Sequence, residues 1–330
     1  MTKSFITISA LVLMSFSSAV PSALAQNESA LLTQPQGRLK LIRKKKSKAI
    51  QEDQLLNVGD IVVLTGEGGG VIYQAYAPVK RLARDDRLTI QALLPPPGQN
   101  ALSLEDFVSF KKNYQLARQN RSQPSPTQMG GADDNRVTLM EPRNSLVLDI
   151  RPAFIWTGVT GATRYVVNIY DSSERVVCTA NTTETRLSYP ESCSQLPPGE
   201  YKWDVTAKIG DQISDNPALY DASSFSIVST DRATAIKNAL SHARSISQAD
   251  NSARSVYAAV LLDQRLYPQA ELELLGALKQ SPSDQSLWSL LMETYRLMKR
   301  WPAREKARTI SRNPQPTAQM VQTLDRQTVP

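Results

Sequence analysis

Between Ile236 and Pro316, hydrophobic and proline positions recur at an interval of 34 residues, and this period constrains the fold more than any other feature. Ile236, Leu240 and Ala243 return as Ala270, Leu274 and Ala277, and Tyr267-Pro268 returns as Trp301-Pro302. Arg254, Tyr257 and Leu261 return as Trp288, Leu291 and Tyr295, and Pro282 returns as Pro316. A fixed period in this range means stacked units, none of which can bury its apolar face alone. Steps of three and four residues within each unit predict helices, paired so that large Tyr257 meets small Ala277. The helical region is read as Thr230–Asn313, with Thr230–Ser247 as a lone leading helix. The tail after Pro314 reads as disordered.

These recurrences resemble tetratricopeptide repeats, well over Arg254–Pro282 and in part over Gln285–Pro316. Arg304, Arg308 and Ser311 depart from the pattern, standing where the family has small or apolar residues. The resemblance implies a concave groove lined by the first helix of each pair. Its positions fall on Ser252, Ser255, Ala259, Leu262 and Asp263, then on Ser286, Ser289, Glu293, Arg296 and Leu297. Asp263, Glu293 and Arg296 would set specificity through charge complementarity at a partner's rim. Two repeats and one extra helix are few for a free-standing array, so the array is expected to dock on the sandwich or on a partner.

Upstream, the period changes from helical to two. Tyr201, Trp203, Val205 and Ala207 alternate with Lys202, Asp204, Thr206 and Lys208, giving one dry and one wet face. Tyr165, Val167 and Ile169 alternate with Val166, Asn168 and Tyr170, a strand read as covered on both sides or nearly so. With short strands at Phe154-Ile155-Trp156 and at Phe225-Ser226-Ile227, residues 143–229 predict a β-sandwich. Pro152 to Trp156, Gly161 to Tyr165, and Leu196-Pro197-Pro198-Gly199-Glu200-Tyr201 resemble a fibronectin type III-like domain. That resemblance makes Tyr201 a corner tyrosine bonded to nearby main chain. The two cysteines, Cys178 and Cys193, are expected to form a disulfide, since an oxidising compartment favours that pairing over a metal site.

Residues 36–119 read as a β-rich unit ending in a helix. Leu39–Ile42 and Ile61–Thr65 are strand-like, and Gly66-Glu67-Gly68-Gly69-Gly70 reads as a hairpin turn leading to Val71–Tyr76. Ser103 can cap a helix whose Phe107, Phe110, Tyr114 and Ala117 form one stripe. Gly37 to Arg43 and Leu56 to Leu64 resemble the small β-domain of FecR-like envelope proteins, which implies a regulatory or surface module. Residues 120–142, with Ser122, Pro124, Ser125, Pro126, Gly130 and Gly131, read as a linker. The fold class is therefore multi-domain: an all-β segment and a β-sandwich, then an all-α helical-repeat domain.

The N-terminus reads as a secretory signal over residues 1–25. Lys3 precedes an uncharged stretch from Phe5 to Val20, and Ala23-Leu24-Ala25 offers a cleavage site. No later run is long and apolar enough to span a bilayer. The formal charge is +7. Its one dense cluster, Arg38, Lys40, Arg43, Lys44, Lys45, Lys46 and Lys48, is either a solvated strand edge or a site for anionic polymer. Arg43, Lys44, Lys45, Lys46 and Lys48 are the polymer-binding candidates. No aromatic residues interleave as stacking platforms, so nucleic acid is not an expected partner.

Chemistry for catalysis is sparse. His242 is the sole histidine, in the leading helix and with no serine-elbow motif to serve. The glycine run lacks the Gly-Lys-Ser/Thr of a phosphate loop. Asp133-Asp134 sits in the linker, without packing that would split two pKa values. No metal or cofactor is expected, and a histidine-independent hydrolase finds no supporting motif. The module order resembles exported cyanobacterial proteins of modular build. The reading is a non-enzymatic periplasmic or extracellular scaffold that binds a protein or peptide through its helical domain, with anionic envelope polymer as the alternative ligand.

Overall fold

A computed structural model describes residues 28–75, 77–91, 103–121, 123, 137–210, 212–213, 224–249 and 253–325. The expected signal segment, Ser252 and the central part of the expected linker lie outside these residues. Within them, β-sheets interrupted by one helix occupy the N-terminal two thirds and helices the remainder.

The first sheet is built on two long antiparallel strands, β1 (Glu28–Arg43) and β4 (Ile61–Gln74). β2 (Lys46–Ile50) and β3 (Gln54–Asn57) pair with β1, while β5 (Lys80–Arg81) and β6 (Arg87–Thr89) pair with β4. The unit begins at Glu28, eight residues before the expected boundary at 36. The expected hairpin at Gly66–Gly70 is overturned, because β4 is continuous across it and pairs with β1 on both sides. The glycines serve a bulge instead: Gly37 (φ 78) and Gly68 (φ 149) face each other across the two strands, and a Cβ on either would strike the other's backbone.

Alternation then divides the β1–β4 side chains between two cores. Ala30, Leu32, Leu39, Leu41, Val62, Leu64 and Ile72 form the unit's own core. Leu31, Val71 and Tyr73 point the opposite way and join the core of the helical domain. The helix α1 (Leu104–Asn120) joins them there. Its N-terminus is capped as expected, with Ser103 Oγ accepting from the Asp106 amide at 3.0 Å.

The sandwich starts earlier than residue 143. β7 (Leu139–Glu141) pairs with β9 (Ala153–Trp156), which pairs with β12 (Arg186–Ser188). Val137 and Leu139 are buried in its core, so the linker expected over 120–142 ends by Val137. The facing sheet runs β11 (Val176–Thr182), β10 (Arg164–Asp171), β13 (Gly199–Ile209), β15 (Ser224–Ile227) and β8 (Ser145–Val147), with β14 (Gln212–Ile213) on β13. Phe154 packs edge to face on Trp203 and Phe225, and Trp156 packs tilted against Trp203, between the sheets. On β10 only Tyr165, Val167 and Ile169 are fully buried; Asn168 and Tyr170, on the other face, bond Asp204 at 3.1 and 2.7 Å. Tyr201 Oη donates to the Pro197 carbonyl at 2.6 Å. Cys178 and Cys193 form a disulfide that ties β11 to the loop before Pro197.

The helical region contains α2 (Thr230–Ala249), α3 (Arg254–Asp263), α4 (Tyr267–Gln280), α5 (Gln285–Leu297) and α6 (Trp301–Ser311). The turns between α3 and α4 and between α5 and α6 repeat in backbone detail. Arg265 (φ 58) and Lys299 (φ 54) take matching left-handed conformations, and Pro268 and Pro302 open the following helices. The tail expected to be disordered contains α7 (Ala318–Asp325), whose Val321 and Leu324 are fully buried in the shared core.

Candidate functional site

The face of the helical array formed by α3 and α5 is occupied by the chain's own α1. Three sets of contacts hold that helix along its length. At its N-terminal end, Asp106 Oδ2 lies 2.8 Å from Nδ1 of His242 on α2. An acidic group in a helix's first turn also complements the dipole. In the middle, Phe107, Phe110, Tyr114 and Ala117 insert as one stripe, each at most 3 % exposed. Phe110 packs on Tyr73 of β4 with ring centroids 4.3 Å apart. At the C-terminal end, Arg304 donates to the Asn120 carbonyl at 2.6 Å and Arg308 to that of Gln123 at 2.5 Å. These two arginines, which break the repeat pattern, are therefore cations placed at the negative end of α1.

The expected groove residues line this seat. Ser255 Oγ meets Tyr73 Oη at 3.0 Å, and the Ala259 carbonyl accepts from Asn113 Nδ2 at 3.1 Å. Leu262 is buried in the common core. Asp263 takes Lys112 Nζ at 2.7 Å and Ser109 Oγ at 3.4 Å. Ser286 Oγ lies 3.0 Å from Tyr114 Oη, whereas Ser289 Oγ turns back to the Gln285 carbonyl of its own helix. Glu293 accepts from Asn120 Nδ2 at 3.1 Å and from both arms of Arg296, at 2.8 and 2.7 Å. Leu297 is partly buried, and its carbonyl accepts from Asn144 of the sandwich. Asp263, Glu293 and Arg296 are thus engaged within the chain rather than displayed on an open rim: α1 presents an ammonium to Asp263 and an amide to Glu293, and Glu293 in turn holds Arg296.

Several members of this site carry no repeat signature. Asp53 accepts from the Gln34 amide at 2.9 Å, from Tyr114 Oη, and from Arg118 at 3.3 Å. Burial, then the Asp53 charge, raises the Tyr114 phenol far above its ordinary value, so it stays a proton donor. A cleft of about 220 Å³ opens beside them, lined by Leu31, Asp53, Gln54, Leu55, Tyr114, Gln115 and Arg118. It is smaller than a usual small-molecule site. Asp284 caps α5 and accepts from Gln34 Nε2 at 2.7 Å; burial raises its carboxyl. Asn113 and Asn120, seven residues apart and so on one face, were the signal available in the sequence.

The turn-bearing side of the array holds the sandwich. Arg143 donates to the carbonyls of Leu139, Met298 and Lys299, and burial and the nearby Arg300 charge pull its guanidinium down to about 10. Arg300 pairs with Glu271 at 2.5 Å, both only 5 % exposed. Burial, then the Glu271 charge, raises Glu141 beside them.

The basic cluster resolves into two kinds of residue. Arg43 is not free: it forks Asp60 at 2.9 and 2.6 Å and donates to the Leu55 carbonyl. Asp60 is buried and also caps the Asn57 amide, so Arg43 closes a turn and leaves the polymer-binding set. Lys44 and Lys45 form the left-handed β1–β2 turn, and Lys46 and Lys48 lie exposed on edge strand β2.

Among the described residues, no group of three or more His, Cys, Asp or Glu side chains is arranged to hold a metal, and no hydroxyl or thiol bonds the His242 ring. No family model matches the chain, and no curated relative does. Among solved structures, the dimeric latent PorU of Porphyromonas gingivalis is similar over 58 % of this chain and 16 % of that one, at 8 % identity and a TM-score of 0.23. A likeness that slight carries no argument.

Proposed function

We propose that this chain is an exported, non-catalytic envelope scaffold whose helical array, of the tetratricopeptide type, is a cradle for one amphipathic helix. The resident guest is α1, and a partner protein's helix of similar pattern takes the same seat. This is helix-in-groove recognition, with anchors spaced three and four residues apart. The observation that carries the reading is the seating of α1, apolar in the middle and polar-bonded at both ends. The disulfide supports export, since such bonds persist in oxidising compartments.

A labelled peptide of residues 103–121 tests the cradle in trans. Phe110→Asp in the full chain should loosen the resident helix, and that variant should bind the peptide at least about tenfold more tightly than the unchanged protein does. Lys112→Glu, which repels Asp263, is a milder route to the same vacancy. If both variants keep their helical circular dichroism and neither takes up peptide, the cradle reading fails.

A further inference from the structure

The helical array leaves one feature unused: the cations at the far end of the first sheet. Register fixes their layout. Lys40 lies opposite Val63, which lies opposite Arg87, so the two cations stand about 10 Å apart on the open face. Arg38, opposite Thr65, extends that row on the same face. Lys44 and Lys45 form the tip, and Lys46 and Lys48 continue round the β2 edge. All seven side chains are exposed, and none has an ion-pair partner among the described residues.

Nearby acids offset them only in part. Asp60 is taken by Arg43 and Asp86 by Lys80, Glu67 and Asp85 share Arg84 through exposed contacts, and Glu52 lies exposed after β2. Repulsion among seven unpaired cations costs stability and is relieved by a polyanion. We propose that this end of the sheet docks a linear anionic polysaccharide.

Shape and composition select that occupant. The cations lie on one face, a tip and an edge, so a flexible chain can follow them, whereas a planar bilayer meets one side at a time. Among the described residues this end carries no aromatic side chain to stack a base, and Tyr73 is buried at the other end of β4. Nor does it expose an aromatic wedge for a membrane; Val58 is the large exposed hydrophobic of this sheet. The inference is independent of the groove reading.

The test is binding of fluorescent polygalacturonate to the full chain, with neutral dextran, anionic phospholipid vesicles and a single-stranded oligonucleotide as parallel arms. Polygalacturonate should bind and dextran should not, with affinity falling steeply as salt is raised. Replacing Lys44, Lys45, Lys46 and Lys48 together by Gln should weaken binding about tenfold or more and flatten the salt slope. Arg175→Gln, a cation on the sandwich, should change neither. Thermal melts of each variant verify that the fold is kept. Unchanged affinity in the fourfold variant, equal binding of dextran, or tighter binding of vesicles or oligonucleotide would overturn the proposal.

Discussion

The groove and the basic sheet end both carry several charged side chains but use them in opposite ways. In the groove, Asp263, Glu293, Arg296, Arg304 and Arg308 all bond within the chain, mostly to α1 and the residues after it. On the sheet end, one cation of the cluster turns inward and the rest face solvent. Charge pattern alone does not distinguish a surface that binds from one already bound; the neighbours supplied by the fold do. The sharpest way to break this contrast is to empty the groove. Phe110→Ala removes a fully buried ring that touches Tyr73 and Tyr114, and should cost about 3–5 kcal/mol in urea unfolding. A loss below about 1 kcal/mol would mean that α1 is not part of the packed core.

Arg43 sharpens the comparison from the other side. Arg43→Ala leaves the buried Asp60 carboxylate without its fork and should cost about 1–3 kcal/mol, while Lys45→Ala next to it should stay within about 0.5 kcal/mol. Equal costs would return Arg43 to the solvated cluster.

How far the sequence exposed this contrast depends on the range over which each part is determined. The stripe of α1 and its Ser103 cap were legible because both are set within one helix. Its seat was not, since Asn113 reaches the Ala259 carbonyl across 146 residues. The glycine run misled because glycine density signals a turn. Here it meets the crowding between Gly37 and Gly68 in two long strands, which depends on pairing at a distance. Arg304 and Arg308 could be seen as departures from the repeat but not explained, as their acceptors lie 184 and 185 residues away. α7 was hidden by the prolines before it, although Val321 and Leu324 have the three-residue spacing of a buried stripe.

The groove's rim should prove weaker than its centre. Lys112 is mostly exposed, so its pair with Asp263 is screened by solvent, and Lys112→Ala should cost under about 1 kcal/mol in the same urea series. A cost approaching that of Phe110→Ala would make the guest's seating electrostatic rather than apolar.

The smallest effect should come from Asp284, and its sign is the informative part. Burial raises this carboxyl, while Gln34 and the amides of Ser286 and Leu287 partly oppose the rise. A carboxyl whose folded value lies above its unfolded one loses stabilising power as pH rises through that interval, and the penalty persists at neutral pH. Asn can still cap α5 and accept from Gln34, without a charge to desolvate. Asp284→Asn should therefore raise Tm at pH 7 and leave it nearly unchanged at pH 4, when both are compared with the unchanged protein. A drop at pH 7 would mean that the carboxylate's charge, unlike those left exposed at the sheet end, is needed to hold Gln34 of β1 against the array.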